Sequence, residues 1–293
     1  MSQAQALAGL ARDALPVRVE LRENTTSSPP VGQGRGGDVA SSPADPPRRA
    51  AIGPSVTHPR RRPMSSSETA TGSLILVLGS RNRKKCREMA ELIRPPWEPS
   101  RRLDRLEIGT LDEFPDAPEV DESAETFAGN ARKKAAELAR ALDRWVLADD
   151  SGLTVDALQG APGVLSARYA GEPCDDAANN RKLVEAISAV PDDRRGAAFR
   201  CALAVADPLG QIRLEAAAVC RGRIIREPRG TAGFGYDPLF LIPEYHKTFG
   251  ELSPLVKHQL SHRARAFAHL RPGLLKMIAR GELMQHMASI ASA

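Results

Sequence analysis

The sequence predicts an α/β protein, a single domain of interspersed strands and helices. Short continuous apolar runs at Leu74–Leu78 and Trp145–Ala148 have the pattern of strands covered on both faces. Between them lie stretches rich in Ala, Leu, Lys and Arg, which are strong helix formers. Farther on, Phe199–Ala206 and Arg213–Val219 read as neighbouring strands joined by the turn Asp207–Gly210. Strands interspersed with helices over about 220 residues indicate one mixed domain.

Taken in order, residues 1–72 form an N-terminal extension and residues 73–293 the folded domain. From Asn24 to Thr71 the chain is mostly Pro, Gly, Ser, Thr and Arg. It has too little apolar surface to offset the entropy of ordering, so this segment is expected to be disordered. The first strand, Leu74–Leu78, leads into a helix over about Arg83–Ile93, halted by Pro95 and Pro96. Leu106–Leu111 reads as a second strand, and Phe114–Ser123 as an acidic, proline-broken loop. A long helix is expected over Ala124–Leu142, followed by a third strand, Trp145–Ala148. That strand is expected to end directly in Asp149-Asp150-Ser151-Gly152. Asp175–Ala189 reads as helix. The last helix spans about Ser261–Arg280, with Ser261 as N-cap and Lys257 near its start. The sequence shows no internal repeat.

Composition bounds the function classes. The formal net charge is +5. Residues 1–70 hold nine arginines against six acidic side chains, so the folded part is close to neutral. The charge therefore gives little support to nucleic-acid binding, although the triplet Arg60–Arg62 is basic. The four cysteines, Cys86, Cys174, Cys201 and Cys220, stand far apart and form no C-x-x-C pair, which argues against a zinc or disulfide framework and for reduced thiols. No apolar run approaches the roughly 20 residues needed to span a bilayer. The N-terminus shows no signal-peptide core, and Asp13, Glu20 and Glu23 speak against a transit peptide, so a cytoplasmic location is expected.

Five segments carry residues suited to chemistry. Gly79–Lys85 joins a strand to a helix, and the free amides and positive dipole end of such a junction suit phosphate. Ser80, Arg81, Asn82, Arg83, Lys84 and Lys85 add donors and charge. Asp149 and Asp150 end a buried run, where paired carboxylates call for a partner charge such as magnesium, and one of them could deprotonate water. The acidic loop and the helix lysines Lys133 and Lys134 are a third group. Gly230–Pro238 places three glycines around Phe234 and Tyr236, which suits a loop approaching a ligand closely. Lys257, His262 and Arg263 could pair with phosphate or read a base carbonyl. Each segment also fits a plainer role as capped helix, polar turn or solvated face, and taken singly leaves both readings open.

Together, in this order, the segments resemble the inosine triphosphate pyrophosphatase family, enzymes that clear non-standard purine nucleotides. The most specific pieces are Leu147-Ala-Asp-Asp-Ser-Gly-Leu153, Gly160-Ala-Pro-Gly-Val-Leu-Ser-Ala-Arg-Tyr169, Gly233-Phe-Gly-Tyr-Asp-Pro238 and Ser261-His-Arg263, and the resemblance covers about Leu74–Ala279. It implies an elongated mixed sheet with two lobes and a central cleft, a homodimer, and hydrolysis of ITP, dITP or XTP to monophosphate and pyrophosphate. It implies that Ser80, Asn82 and Lys85 bind phosphate and that Lys134 lies near the triphosphate. Asp150 would be general base and magnesium ligand, with Asp149 beside it, Glu122 as a further metal carboxylate and Ser151 touching substrate. Phe234, Gly235, Tyr236, Asp237, Lys257, His262 and Arg263 would recognise the purine. The chain departs from the family pattern at Arg81 and Lys84, where glycine is usual, and at Gly129, where a glutamate commonly precedes Asn130. A positive φ at Arg81 would cost about 1 kcal/mol or more. The rival readings are a pyrophosphatase for pyrimidine or other modified nucleotides, and a nucleotide- or nucleic-acid-binding protein without catalysis.

Overall fold

The computed structural model describes residues 74–95 and 99–283, and the segment expected to be disordered lies outside them. The strands are β1 Leu74–Leu78, β2 Leu106–Thr110, β3 Trp145–Val155, β4 Gly196–Ala206, β5 Ile212–Ile224, β6 Phe240–Ile242 and β7 Lys247–Thr248. The helices are α1 Arg83–Ile93, α2 Phe127–Leu142, α3 Asp176–Ala186, α4 Pro254–Leu260 and α5 His262–Ala279. The strands form one mixed sheet in the order β2-β1-β3-β4-β5-β6-β7. The first three are parallel, and from β3 onward every pairing is antiparallel.

Three apolar clusters cover the sheet. Leu76, Leu78, Trp145, Leu147, Leu203 and Leu214 face α1 and α5, meeting Met89, Phe267, Leu270 and Leu274. Their sequence neighbours Val77, Val146, Ala148 and Ala204 point to the other face, against Ala131, Ala135 and Leu138 of α2. The third cluster gathers Leu153, Val155, Leu183, Phe199, Phe240 and Phe249 at the far ends of β3 and β4. The two long strands thus run from one apolar region into another. The turn joining β4 to β5 is closed by Asp207, whose Oδ1 accepts from the amides of Leu209 (3.0 Å) and Gln211 (2.9 Å).

Three sequence expectations are corrected, and two strands were not foreseen. β3 does not end at Ala148 but continues to Val155, so Asp149–Gly152 lies inside the strand, paired with Leu203–Arg200 of β4. Its polar middle broke the apolar run by which a strand is recognised. The long helix starts at Phe127 and not Ala124, because Thr126 is its N-cap and accepts from the Gly129 amide. Lys257 belongs to a separate short helix, α4, begun by Ser253 and Pro254. The short strands β6 and β7 were not anticipated, since two or three residues leave no periodicity to read. Ser261 does cap the last helix, accepting from the Ala264 amide.

Candidate active site

The site follows from where β1 stops. β1 pairs with β3 only as far as Leu78 opposite Leu147, and the Gly79 amide makes the last bond, to the Leu147 carbonyl at 2.8 Å. Beyond that point β3 keeps β4 on one side, and its other edge has no strand partner until Ser166 Oγ accepts from the Leu153 amide and Pro162 bridges Thr154. Asp149 and Asp150 sit at the start of this stretch, beside the N-terminus of α1. Clefts in α/β sheets form at such points, outside the carboxyl ends of parallel strands. Asn82 caps α1, its Oδ1 accepting from the amides of Lys84 (3.0 Å) and Lys85 (3.1 Å). Ser80 Oγ in turn accepts from the Asn82 amide.

Alternation along β3 sends the two aspartates to opposite faces. Asp149, on the α1 and α5 face, is fully buried, with Lys85 Nζ at 3.4 Å and Arg263 Nε at 3.6 Å from its Oδ2, which also accepts from Ser151 Oγ at 2.9 Å. Burial opposes its charge, but Lys85, Arg263 and Lys134 outweigh that and hold the carboxyl well below the usual range. Asp150 turns to the α2 face. Its Oδ2 accepts from Asn130 Nδ2 at 3.0 Å and its Oδ1 from the Ser151 amide at 2.9 Å. Here burial prevails over the pull of Lys134 and Asn130, and the Asp150 pKa is raised. Lys134 Nζ lies 2.9 Å from Glu122 Oε1. Burial weighs against its charge, yet Asp149, Glu122 and Asp150 together keep the ammonium above its ordinary pKa.

A second constellation adjoins on the α1–α5 side. The guanidinium of Arg263 donates to Glu88 Oε2 at 2.9 Å and to Ser151 Oγ at 2.8 Å. Lys257 Nζ donates to Asp237 Oδ2 at 2.7 Å and lies 3.9 Å from Glu88 Oε1. The half-buried ring of Phe234 is surrounded by cations, with Lys257 5.0 Å, Arg263 5.2 Å and Lys84 6.0 Å from its centroid. His262 is stacked on Phe199 with centroids 4.8 Å apart. Its Nδ1 is buried without a hydrogen-bond partner, and burial with Arg263 and Lys257 nearby pushes its pKa well below 6.5.

The loop carrying Phe234 is held by Asp237, whose Oδ2 accepts from the Phe234 amide at 2.8 Å. Gly233 has φ 80°, and a Cβ there would lie 2.0 Å from Asp237 Oδ2, so only glycine fits. Gly235 donates its amide to Asp176, and its carbonyl accepts from Asn180 Nδ2. Tyr236 needs correction as a substrate contact. It is buried and its hydroxyl donates to the Ser166 carbonyl at 2.8 Å, so its side chain anchors the loop.

Lys85, Asp149, Ser151, Asp237, Lys257 and Arg263 thus share one buried network, while Glu122, Lys134 and Asp150 form a neighbouring one. Arg81 and Arg83 turn away from both, Arg81 donating to the Ala117 carbonyl and Arg83 pairing with Asp112 at 3.1 Å. Arg81 is absent from the residues of positive φ, so replacing a glycine there brings no left-handed strain. At Gly129 a Cβ would stand 2.8 Å from the Ala124 Cβ, so any side chain there requires the loop before α2 to shift. Sequence reasoning missed Glu88 and Asn130. Glu88 is three residues beyond Lys85 on the same helix face, and Asn130 is a polar residue on an alanine-lined face.

The sequence profile of the Ham1 family matches residues 76–273, spanning both constellations. The chain belongs to the Ham1 family. Among its relatives, a dITP/XTP pyrophosphatase of Rhodopirellula baltica is 54% identical over 203 residues, covering 69% of this chain and 94% of that protein. One of Desulforamulus reducens, also named dITP/XTP pyrophosphatase, is 50% identical over 65% of this chain and 90% of its own length. Among solved structures, a Ham1 protein from Coxiella burnetii superposes with a TM-score of 0.61 at 40% identity, covering 69% of this chain and 99% of that one. The mixed sheet flanked by helices is therefore the family's fold. As for metal, no group of three or more His, Cys, Asp or Glu stands ready to hold an ion among the described residues. The donors do fit a hard cation shared with substrate. Asp149 Oδ1 is a buried oxygen without a partner, and Asp150 and Glu122 both flank Lys134.

Proposed function

We propose that this cleft hydrolyses non-standard purine nucleoside triphosphates, such as ITP, dITP and XTP, to the monophosphate and pyrophosphate. The chain is a nucleoside triphosphate pyrophosphatase of the Ham1 family. The observation that carries the proposal is the stretch of β3 just past the end of β1, where two aspartates meet the amide end of α1 and the lysines Lys85 and Lys134. The triphosphate lies along Ser80, Asn82, Lys85 and Lys134, whose amides and ammonium groups oppose its charge. The base lies against Phe234. Donors from Arg263 and Lys257 surround that ring, and His262 is held neutral beside them. A 6-keto oxygen is accepted there, whereas adenine's amine would face donors and leave buried groups mispaired.

Asp150 is the general base. Its raised pKa, caused by burial, improves its grip on the proton of the attacking water, and Asn130 and the Ser151 amide fix its orientation. Attack at the α-phosphorus releases pyrophosphate. Magnesium would be held by Glu122 and Asp150, with Asp149 alongside, and would offset charge on the phosphates. Residues 73–293 carry the activity, in a cytoplasmic homodimer. The test is a substrate panel of ITP, XTP, dUTP, GTP and ATP with magnesium, scoring pyrophosphate against orthophosphate. Preference for ITP and XTP with pyrophosphate as product supports the proposal, and preference for dUTP or release of orthophosphate refutes it.

A further inference from the structure

Helix α1 presents two basic faces, and the proposed reaction uses only one. Lys85 and Glu88 point to the network around Asp149 and Arg263. On another face, Arg83, Arg87 and Arg94 line a groove of about 370 Å³ between the helix and strand β2, which Ser80 and Arg81 also border. That volume is in the range of small-molecule sites. Its floor is partly apolar, formed by Ala90 and Ile108 among others, and none of Asp149, Asp150, Lys85 or Phe234 borders it.

The charge in this groove is unbalanced. Among the described residues four arginines line it against one carboxylate, Asp112, which is already paired with Arg83. Arg87 makes no hydrogen bond or ion pair among the described residues. Arg94 donates its Nε to the Leu103 carbonyl and has no acidic partner there. Arg83 and Arg87 stand four residues apart, a spacing at which like charges on a helix repel. An arrangement of this kind is relieved by an anion, and the planar fork of arginine matches phosphate oxygens two at a time. We propose that the groove is a second phosphate site, adjoining the catalytic site at Ser80 but distinct from it, which holds a phosphate-bearing small molecule through Arg87 and Arg94. The phosphoryl group lies between the two guanidiniums, and any organic part rests on Ala90 and Ile108.

The test is calorimetric titration of the full chain with inosine monophosphate and, separately, with inorganic phosphate. Wild type is expected to bind two equivalents per chain. Arg87→Ala with Arg94→Ala abolishes one site and leaves ITP turnover unchanged, while Lys85→Ala abolishes the other. Tighter binding of the nucleotide than of phosphate at the arginine site makes its ligand nucleotide-like, and equal binding assigns it to the inorganic ion. Ile108→Glu, which sets a carboxylate on the floor, gives the same loss as the arginine pair by an independent route. A single site in wild type, or a second site untouched by the arginine and Ile108 changes, overturns the proposal. Pyrophosphate release measured on the same samples reads the catalytic proposal separately, so either can fail alone.

Discussion

At the scale of single residues, opposite roles follow from one bond of backbone. Asp149 and Asp150 are neighbours, yet strand alternation gives the first to Lys85 and Arg263 and the second to Asn130 and Lys134. The cations hold Asp149 charged, while burial raises Asp150, so only Asp150 has the character of a base. Asp150→Asn is expected to lower kcat at least about 100-fold with the thermal unfolding profile retained. Activity within a few-fold of wild type would remove Asp150 from its role. His262 gives a second prediction. Its folded pKa lies below the unfolded value of 6.5, so the unfolded chain binds the extra proton. Stability therefore falls as pH drops through that value, by up to about 1.4 kcal/mol per pH unit from this group. Denaturant titrations between neutral pH and pH 5 should show the slope flattened in His262→Gln. An unchanged slope would mean that His262 takes up its proton over the same pH range in the folded and unfolded chains.

At the scale of elements, α1 is the organising piece, because its capped end and its Lys85–Glu88 face both serve the cleft. Asn82→Ala removes the acceptor for two amides and is expected to cost about 1 kcal/mol of stability. The same change should raise KM for ITP more than it lowers kcat. A change in kcat alone would place the cap outside phosphate binding. Glu88 joins α1 to α5 through Arg263, and Glu88→Ala leaves that buried guanidinium without its closest carboxylate. A loss of about 3–5 kcal/mol in urea denaturation is expected. The elements differ in how legible they were. Leu74–Leu78 and Arg83–Ile93 were plain from apolar runs and proline punctuation. The length of β3 was not, since its aspartates and serine are stabilised by partners distant in sequence and look like a turn in isolation. The same cause hid Glu88 and Asn130. A buried charge is recognised only with its counter-charge, and Arg263 is 175 residues from Glu88.

At the scale of the molecule, the sheet changes from parallel to antiparallel at β3, and the candidate site lies where β1 gives out. Segments that marked the family converge there from the end of β1, β3, the glycine loop and the start of α5, while Gly160–Tyr169 packs against β3 through Ser166. Their convergence was not readable from spacing, because it depends on strand order. The site side chains named above all lie between Ser80 and Arg263. A chain starting at Ser73 is therefore expected to retain kcat for ITP within about two-fold of the full chain, a difference of only ~0.4 kcal/mol. A larger loss would give the extension a catalytic part.

The most direct measurement is hydrolysis of ITP in heavy-oxygen water, with mass spectrometry of both products. Attack of water, activated by Asp150, at the α-phosphorus places the label in inosine monophosphate and leaves pyrophosphate unlabelled. Label in pyrophosphate, or in released orthophosphate, would contradict it.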